Sequence, residues 1–424
     1  MIKVITYGTY DMLHYGHIRL LERAKALGDY LVVGITSDDY DKTRGKINLQ
    51  QSLMERVEAV KATGLADEII IEEYEGQKID DIRRLGIDIF TVGSDWEGYF
   101  DYLNEYCKVV YLPRTQGVSS SEIRAEKRKL IIGTIGDGNL SKKFIREMEY
   151  VNGVVYQPCD DNLDNVDAVY VASHPKHHYV DVKRALMAGK HVICESPIAL
   201  TYEQCSELFE IAHEKQLVLT DAIKTAYSTA YSRLLVFAKS GRIGEIISVD
   251  SVCTSLEDGA TIPGADLSKK QNSICAWGPT AMLPIFQLLG DNPKSLSITS
   301  LILDKQLRYD GFTKTDFVYD KAVASARMAK AAKAEGELVI TGTKGYIYVP
   351  APWWKTDYFE VRFENASENK RYFYQLDGEG IRYEIVAFAR AVESGRSSMY
   401  IRESTSCAIA KTIEQFNNGD CIEI

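Results

Sequence analysis

The chain has 424 residues, of which 45% are hydrophobic and 26% charged, and its formal net charge is −10. That length exceeds one ordinary core, so two or three domains are expected. The acidic balance opposes nucleic acid as a partner and requires a local basic pocket for any phosphate ligand. No apolar run is long enough to span a membrane, and the chain enters a strand at once with no room for a signal peptide, so no membrane partner and a cytoplasmic location are expected. Eight cysteines without a C-x-x-C pair argue for reduced thiols rather than a disulfide frame or a zinc site, and no metal-ligating set is expected.

The first strand-like run, Ile2 to Tyr7, is followed by Gly8-Thr9-Tyr10-Asp11-Met12-Leu13-His14-Tyr15-Gly16-His17 and then by apolar residues at helical spacing from Ile18 to Leu27. A strand-to-helix turn of this kind is suited to phosphate: small Gly8 and Gly16 let the backbone approach a ligand, and free amides at the helix start favour an anion. His14 and His17, three apart, face one side of the first helical turn, where both can donate to charge growing on a phosphate.

Further strand-like runs at Tyr30 to Thr36, Glu68 to Ile71, Ile89 to Val92 and Val109 to Leu112 alternate with helical stretches, which predicts a parallel α/β sheet. Ligands of such sheets sit at the carboxyl ends of the strands, where Gly8 to His17, Ser37 to Lys46, Gly93 to Trp96 and Pro113 to Ser121 would gather. Arg44 and Lys46 bring positive charge to the second loop, and Arg114 with Thr115, Ser119 and Ser120 brings a bidentate fork and hydroxyls to the last.

These stretches, from Gly8 to His17 through Leu20 to Lys25 and Gly28 to Gly34, with Gly93-Ser94-Asp95-Trp96-Glu97-Gly98 and Arg114-Thr115-Gln116-Gly117-Val118-Ser119-Ser120-Ser121, resemble the glycerol-3-phosphate cytidylyltransferase family of H-x-G-H nucleotidylyltransferases. The resemblance covers residues 1–129 and implies CTP and glycerol phosphate, or a close polyol phosphate, as reactants, CDP-glycerol and pyrophosphate as products, and Mg²⁺ as cofactor. It assigns His14, His17, Lys46 and Arg114 to catalysis and Gly8, Thr9, Tyr10, Asp11, Arg44, Arg56, Asp95, Thr115, Ser119 and Ser120 to substrate binding. Arg44 stands where lysine is usual, and a further family arginine falls at about Gly64. No catalytic base is needed, because a phosphomonoester is already anionic and attacks the α-phosphorus directly.

In the second half, Ile131 to Ile135 reads as a strand running into Gly136-Asp137-Gly138-Asn139-Leu140-Ser141, a glycine pattern in the strand-turn-helix context of a dinucleotide loop. Together with Asp167-Ala168-Val169-Tyr170-Val171, His174-Pro175, Ala188 to Glu195 and Gly241 to Glu245, it resembles the Gfo/Idh/MocA oxidoreductases. The resemblance implies a Rossmann-like domain over residues 130–245 and an α+β open-sheet domain over 246–424, with Gly136, Gly138, Ser141 and Glu195 toward NAD(P). The family's E-K-P triplet appears as Glu195-Ser196-Pro197, and Ala276 and Thr280 fall near its aspartate and histidine. The span from Gly138 to Asp167 is short, so the second strand and the helix after it read as truncated. Lys224, after Asp221-Ala222, is weighed as a substitute for the lost lysine and set aside as a solvated strand-end lysine, and His174, His177 and His178 are weighed as a metal set and set aside. The Met328 to Ala334 stretch reads as a connecting helix or a loop edge.

The preferred expectation is a cytidylyltransferase serving cell-envelope or capsular polymer synthesis, fused to an oxidoreductase-like module without hydride transfer that acts as a scaffold or holds a homodimer or higher homo-oligomer together. The alternatives are a bifunctional enzyme whose NAD(P)-dependent reductase makes the polyol precursor, and a ligand-sensing module.

Overall fold

The computed structural model describes the chain apart from residues 38–39, 42–50, 75, 114–128, 152, 160–161, 258–265, 269, 375, 377 and 396–399. It divides into two compact units, Met1–Lys129 with Val151–Gly153, and Leu130–Tyr150 with Val154–Ile424. Among the described residues no helix is long and apolar enough to cross a membrane.

The first unit follows β1 (Lys3–Gly8), α1 (Tyr15–Lys25), β2 (Tyr30–Thr36), α2 (Leu53–Ala62), β3 (Glu68–Glu72), α3 (Gln77–Leu85), β4 (Ile89–Gly93) and β5 (Lys108–Leu112). Its strands form a parallel sheet in the order β3-β2-β1-β4-β5. The continuous apolar runs of β1 and β2 are buried on both faces, as a sheet covered on two sides demands. Strand order reverses between β1 and β4, so the loop leaving β1 lies at the switch point where such sheets hold ligands. Gly34 on β2 pairs with Tyr7 on β1, and a Cβ there would lie 2.2 Å from the Tyr7 ring.

The second unit opens with β6 (Leu130–Ile135), α4 (Asn139–Met148), β7 (Val154–Tyr156), β8 (Ala168–Val171), α5 (Pro175–Met187), β9 (His191–Cys194), α6 (Tyr202–Glu214) and β10 (Leu219–Asp221). These strands form a parallel sheet ordered β10-β9-β8-β6-β7, the doubly wound arrangement of a Rossmann-like fold. The second strand read as truncated is present: Val154, Val155 and Tyr156 pair with Leu130, Ile131 and Ile132. No helix is described between β7 and β8, so the shortening falls on the crossover.

After α7 (Thr229–Lys239) the chain builds β11 (Ile246–Thr254), α8 (Ser273–Leu289), β12 (Ser295–Asp304), β13 (Tyr309–Val318), β14 (Val323–Ala329), β15 (Leu338–Gly342), β16 (Gly345–Val349), β17 (Tyr358–Phe363), β18 (Lys370–Phe373), α9 (Ile381–Ser394), α10 (Glu403–Asn417) and β19 (Ile422–Glu423). The strands make one mixed sheet, β18-β17-β16-β15-β11-β14-β13-β12-β19. Met328 and Ala329 belong to β14, which corrects the helix-or-loop reading at those two positions, whereas residues 330–334 lie outside any named helix or strand, as a loop edge would. Alternate residues Ala324, Ala326 and Met328 are buried in the core that contains Ile274, Met282 and Phe286 of α8, so packing overrides weak strand propensity. Cys407 and Ala410 of α10 are in the core of the Rossmann-like sheet, which makes the two sheets one compact unit.

Gly34→Ala should lower the stability of the first unit by roughly 1–3 kcal/mol, because the new methyl group displaces the Tyr7 ring. Chemical denaturation of the full chain measures it, and an unchanged midpoint would show that the ring moves aside at no cost.

Candidate functional site

The turn after β1 is built from backbone that only strong local packing sustains. Tyr10 and Met12 both have left-handed backbone, at φ 54° and 50°, and each costs of order 1–3 kcal/mol. The Tyr10 ring is 1% exposed and fills the place of a Cβ on Gly8, 2.9 Å away. Gly8 therefore serves the packing of the turn first, rather than opening backbone to a ligand. Asp11 is buried and accepts from the Gln51 amide at 3.0 Å, while the Gln51 side chain accepts from the Met12 amide at 2.7 Å.

The turn presents two imidazoles. His14 caps α1, its Nδ1 accepting from the Gly16 amide at 3.1 Å. That bond places the proton of a neutral ring on Nε2, the nitrogen left to donate elsewhere. His17 stacks on His14 with ring centroids 3.8 Å apart, and Tyr10 meets His17 edge-on at 5.5 Å. Two imidazolium ions at that separation repel, so the stack favours no more than one positive charge.

Behind the turn lies a buried brace. Arg56 and Asp41 are both 0% exposed. The Arg56 guanidinium donates to the carbonyls of Thr9 at 2.7 Å and Thr36 at 2.9 Å, and stands 3.5 Å from the Asp41 carboxylate. Asp41 accepts from the Thr9 hydroxyl at 2.9 Å and from the Thr36 hydroxyl. Arg56, expected among the substrate contacts, and Thr9 with it, thus tie the end of β1 to the end of β2. The capping box of Ser52 and Glu55 starts α2 just before Arg56 and sets its direction.

A second buried network was not foreseen. Lys78, 5% exposed, pairs with fully buried Glu72 and lies 4.8 Å from the Tyr7 ring centroid. Tyr7 donates to Asp81 at 2.9 Å, and burial followed by that carboxylate pushes its phenol far above the ordinary range. Lys78 lies on α3, and nothing local in the sequence marks it. Asp95 is exposed on the short turn Ser94–Trp96 after β4. Arg44, Lys46, Arg114, Thr115, Ser119 and Ser120 lie outside the described residues.

In the second unit, Gly136 has φ 102°, and a Cβ there would lie 2.6 Å from the Ala172 carbonyl oxygen, so only glycine fits. Ser141 donates to the Gly136 carbonyl at 2.7 Å. A Cβ on Gly138 would meet open space, and no side chain caps α4 there, so the helix amides face outward as a dinucleotide diphosphate needs. The glycine loop therefore fits the cofactor, whereas the chemistry at the strand ends is altered. Glu195 accepts from the Tyr170 hydroxyl, and burial raises its carboxyl to about 7. Asp221, between Ser406 at 2.7 Å and Ser196, is raised by burial to about 6. Glu384 is 1% exposed and is raised by burial and by Glu195, with Lys224 acting in the opposite direction. Ala276 and Thr280 lie on α8 and bring no charge. His178, once weighed as a metal ligand, has its two ring nitrogens 2.8 Å from the carbonyls of Pro197 and Ser173.

Paired histidines on the first helical turn at the switch point of a β3-β2-β1-β4-β5 sheet define the first unit as a nucleotidyltransferase. The sequence profile of the Cytidylyltransferase-like family matches residues 5–126, and the chain belongs to that family. It is 48% identical over 130 residues to the glycerol-3-phosphate cytidylyltransferase of Bacillus spizizenii, covering 31% of this chain and 100% of the relative. The corresponding enzyme of Staphylococcus aureus is 44% identical over 126 residues, covering 30% of this chain and 95% of the relative. Residues 122–222 match the oxidoreductase family with an NAD-binding Rossmann fold. The fold of the second unit is shared with KijD10, a 3-ketoreductase from Actinomadura kijaniata in complex with NADP and TDP-benzene: TM-score 0.61, 17% identity, covering 70% of this chain and 99% of that one.

Asp41→Ala leaves a buried guanidinium without its counter-charge and should cost about 3–5 kcal/mol of first-unit stability, with Asp41→Asn costing less because its amide oxygen still accepts from one threonine hydroxyl and its NH2 group can donate to the other. A wild-type denaturation midpoint in both variants would contradict this role for the charge.

The raised carboxyls also set a pH dependence. Their folded values lie above the unfolded ones, so their stabilising effect is complete in acid and is lost as pH rises through the folded values near 6 and 7. Scanning calorimetry should show the second unit's transition falling between about pH 4.5 and pH 8, and Glu384→Gln should flatten that fall. A transition that rises over this interval would contradict the assignment.

Proposed function

We propose that the first unit transfers a cytidylyl group from CTP to glycerol phosphate, or a close polyol phosphate, releasing pyrophosphate and CDP-glycerol for a cell-envelope or capsular polymer. The observation that carries this reading is the stacked His14–His17 pair at the end of β1, in a chain 48% identical to a glycerol-3-phosphate cytidylyltransferase across that relative's whole length.

An oxygen of the phosphomonoester attacks the α-phosphorus of CTP, a P–O bond forms, and the bond to the pyrophosphate leaving group breaks. The attacking group is already an anion, so the protein aligns the two phosphates and stabilises the charge that accumulates on the α-phosphate and pyrophosphate. His14, through Nε2, and His17 donate to those oxygens, and Lys46 and Arg114 supply fixed charge. Arg44, Asp95, Thr115, Ser119 and Ser120 bind the reactants, while Thr9, Tyr10 and Asp11 hold the turn. Mg²⁺, which the family resemblance implies, would supply charge neutralisation to the triphosphate when bound.

The second unit is read as an oxidoreductase-like module without hydride transfer, since Ser196, Ala276 and Thr280 replace the residues that would move a proton. One observation favours the alternative reductase: Lys224 lies close enough to Glu195 and Glu384 to oppose the rise in both carboxyls. Calorimetric titration of the full chain with NADH and NADPH decides between them. The module reading expects no loss of NADH absorbance with small ketones, and micromolar binding with ketone-dependent oxidation would replace it with the bifunctional reading.

His14→Ala and His17→Ala should each lower turnover by roughly 100-fold or more with an unchanged unfolding midpoint, because each removes a donor to the transition state. Near-normal turnover in both would remove the pair from the chemistry.

A further inference from the structure

The second unit contains a cation cluster that neither the cytidylyl transfer nor the glycine loop uses. Lys143 on α4, Lys224 on the short turn Lys224–Tyr227 and Lys355 on the short turn Trp353–Lys355 all point at one carboxylate. Lys355 Nζ is 2.9 Å from Glu379 Oε1, while Lys224 and Lys143 share Oε2 at 3.3 and 3.4 Å. A good bond between an ammonium group and a carboxylate runs at about 2.7–2.9 Å. Two of the three lysines therefore hold their partner at longer range, because a carboxylate has two oxygens for three ammonium groups.

Local backbone is committed to placing that carboxylate. Glu379 has φ 55° between Gly378 at 56° and Gly380 at 93°. A Cβ at 378 would lie 2.2 Å from Glu147 Oε2, and one at 380 would lie 3.2 Å from the Lys224 carbonyl oxygen, so the loop is wedged between α4 and the lysine turn. Lys355, and after it Lys224, hold the Glu379 carboxyl down at about 2. Glu195 and Glu384 lie within electrostatic reach of Lys224 and offset part of its charge. Lys143 and Lys355 pair with Glu379, and the four side chains remain 27% to 44% exposed.

We propose that Lys143, Lys224 and Lys355 bind the phosphate of a small phosphomonoester, and that Glu379 is an internal anion holding the site until that phosphate displaces it. A phosphate dianion gives each lysine an oxygen of its own and carries the second charge that the carboxylate lacks. A dinucleotide diphosphate offers similar chemistry, but the open amides beside Gly138 already provide for it. The site is independent of the cytidylyl transfer and stands or falls without it.

The test is calorimetric titration of the full chain, without nucleotide or Mg²⁺, using inorganic phosphate, glycerol 3-phosphate and NADH in separate arms. Glu379→Gln should tighten binding of the two phosphates about tenfold by removing the competing charge. The Lys143→Gln, Lys355→Gln double variant should lose that binding event, and both variants should keep the second unit's calorimetric unfolding transition as a check on folding. Identical affinities and stoichiometries in all three proteins would place all phosphate binding in the first unit and overturn the proposal. Weaker binding by Glu379→Gln would make Glu379 part of the ligand cradle instead, and an Glu379-sensitive event seen with NADH alone would assign the lysines to a dinucleotide; either result overturns it.

Discussion

The first unit depends on a guanidinium group buried where two parallel strands end, because the carbonyls of Thr9 and Thr36 point past the sheet and need a donor that no further strand supplies. Arg56 supplies it to both, and Asp41 balances the charge while accepting from both threonine hydroxyls. This fixes the exit of β1 against β2, and from that exit the left-handed Tyr10 and Met12 carry the chain into α1. The stacked histidines inherit their position from the brace. Burying this charge is tolerable only because each partner is present at once, so stability and site geometry depend on the same group of side chains.

The second unit uses buried charge differently. Its acids at the ends of β9 and β10 and on α9 are raised toward neutrality by burial, whereas Glu379 nearby is held ionised by Lys355 and Lys224. The Rossmann-like sheet and its glycine loop are intact, and Ser196 brings no ammonium group to the end of β9. Lys224 enters from a different element and is shared with Glu379. The fold is thus retained while the charges around its strand ends have been rearranged.

Much of the first sheet was legible because buried parallel strands are nearly continuous apolar runs. Tyr30 to Thr36 is the same strand in the sequence and in the structure, and the turn after β1 is marked by glycine, aspartate and paired histidines. Arg56 was legible as an important arginine but not as a buried one, since its carbonyl partners come from strands 20 and 47 residues away. Lys78 with Glu72 left no local signal, because its meaning comes from the Tyr7 ring beneath it. Met328 and Ala329 misled because alanine and lysine have weak strand propensity, and the fit of small residues against α8 decides their conformation. The short span between α4 and β8 was visible in the spacing, but the three-residue strand β7 within it was not.

The central claim is that the chain joins CTP to a glycerol phosphate through the site at the end of β1. Its most direct test is to incubate the purified full chain with Mg²⁺, CTP and glycerol 3-phosphate and to quantify both products by mass spectrometry. The account predicts CDP-glycerol and pyrophosphate in equal amounts, dependent on both substrates and greatly reduced when ATP replaces CTP. Pyrophosphate release without CDP-glycerol, or equal use of ATP, would contradict it.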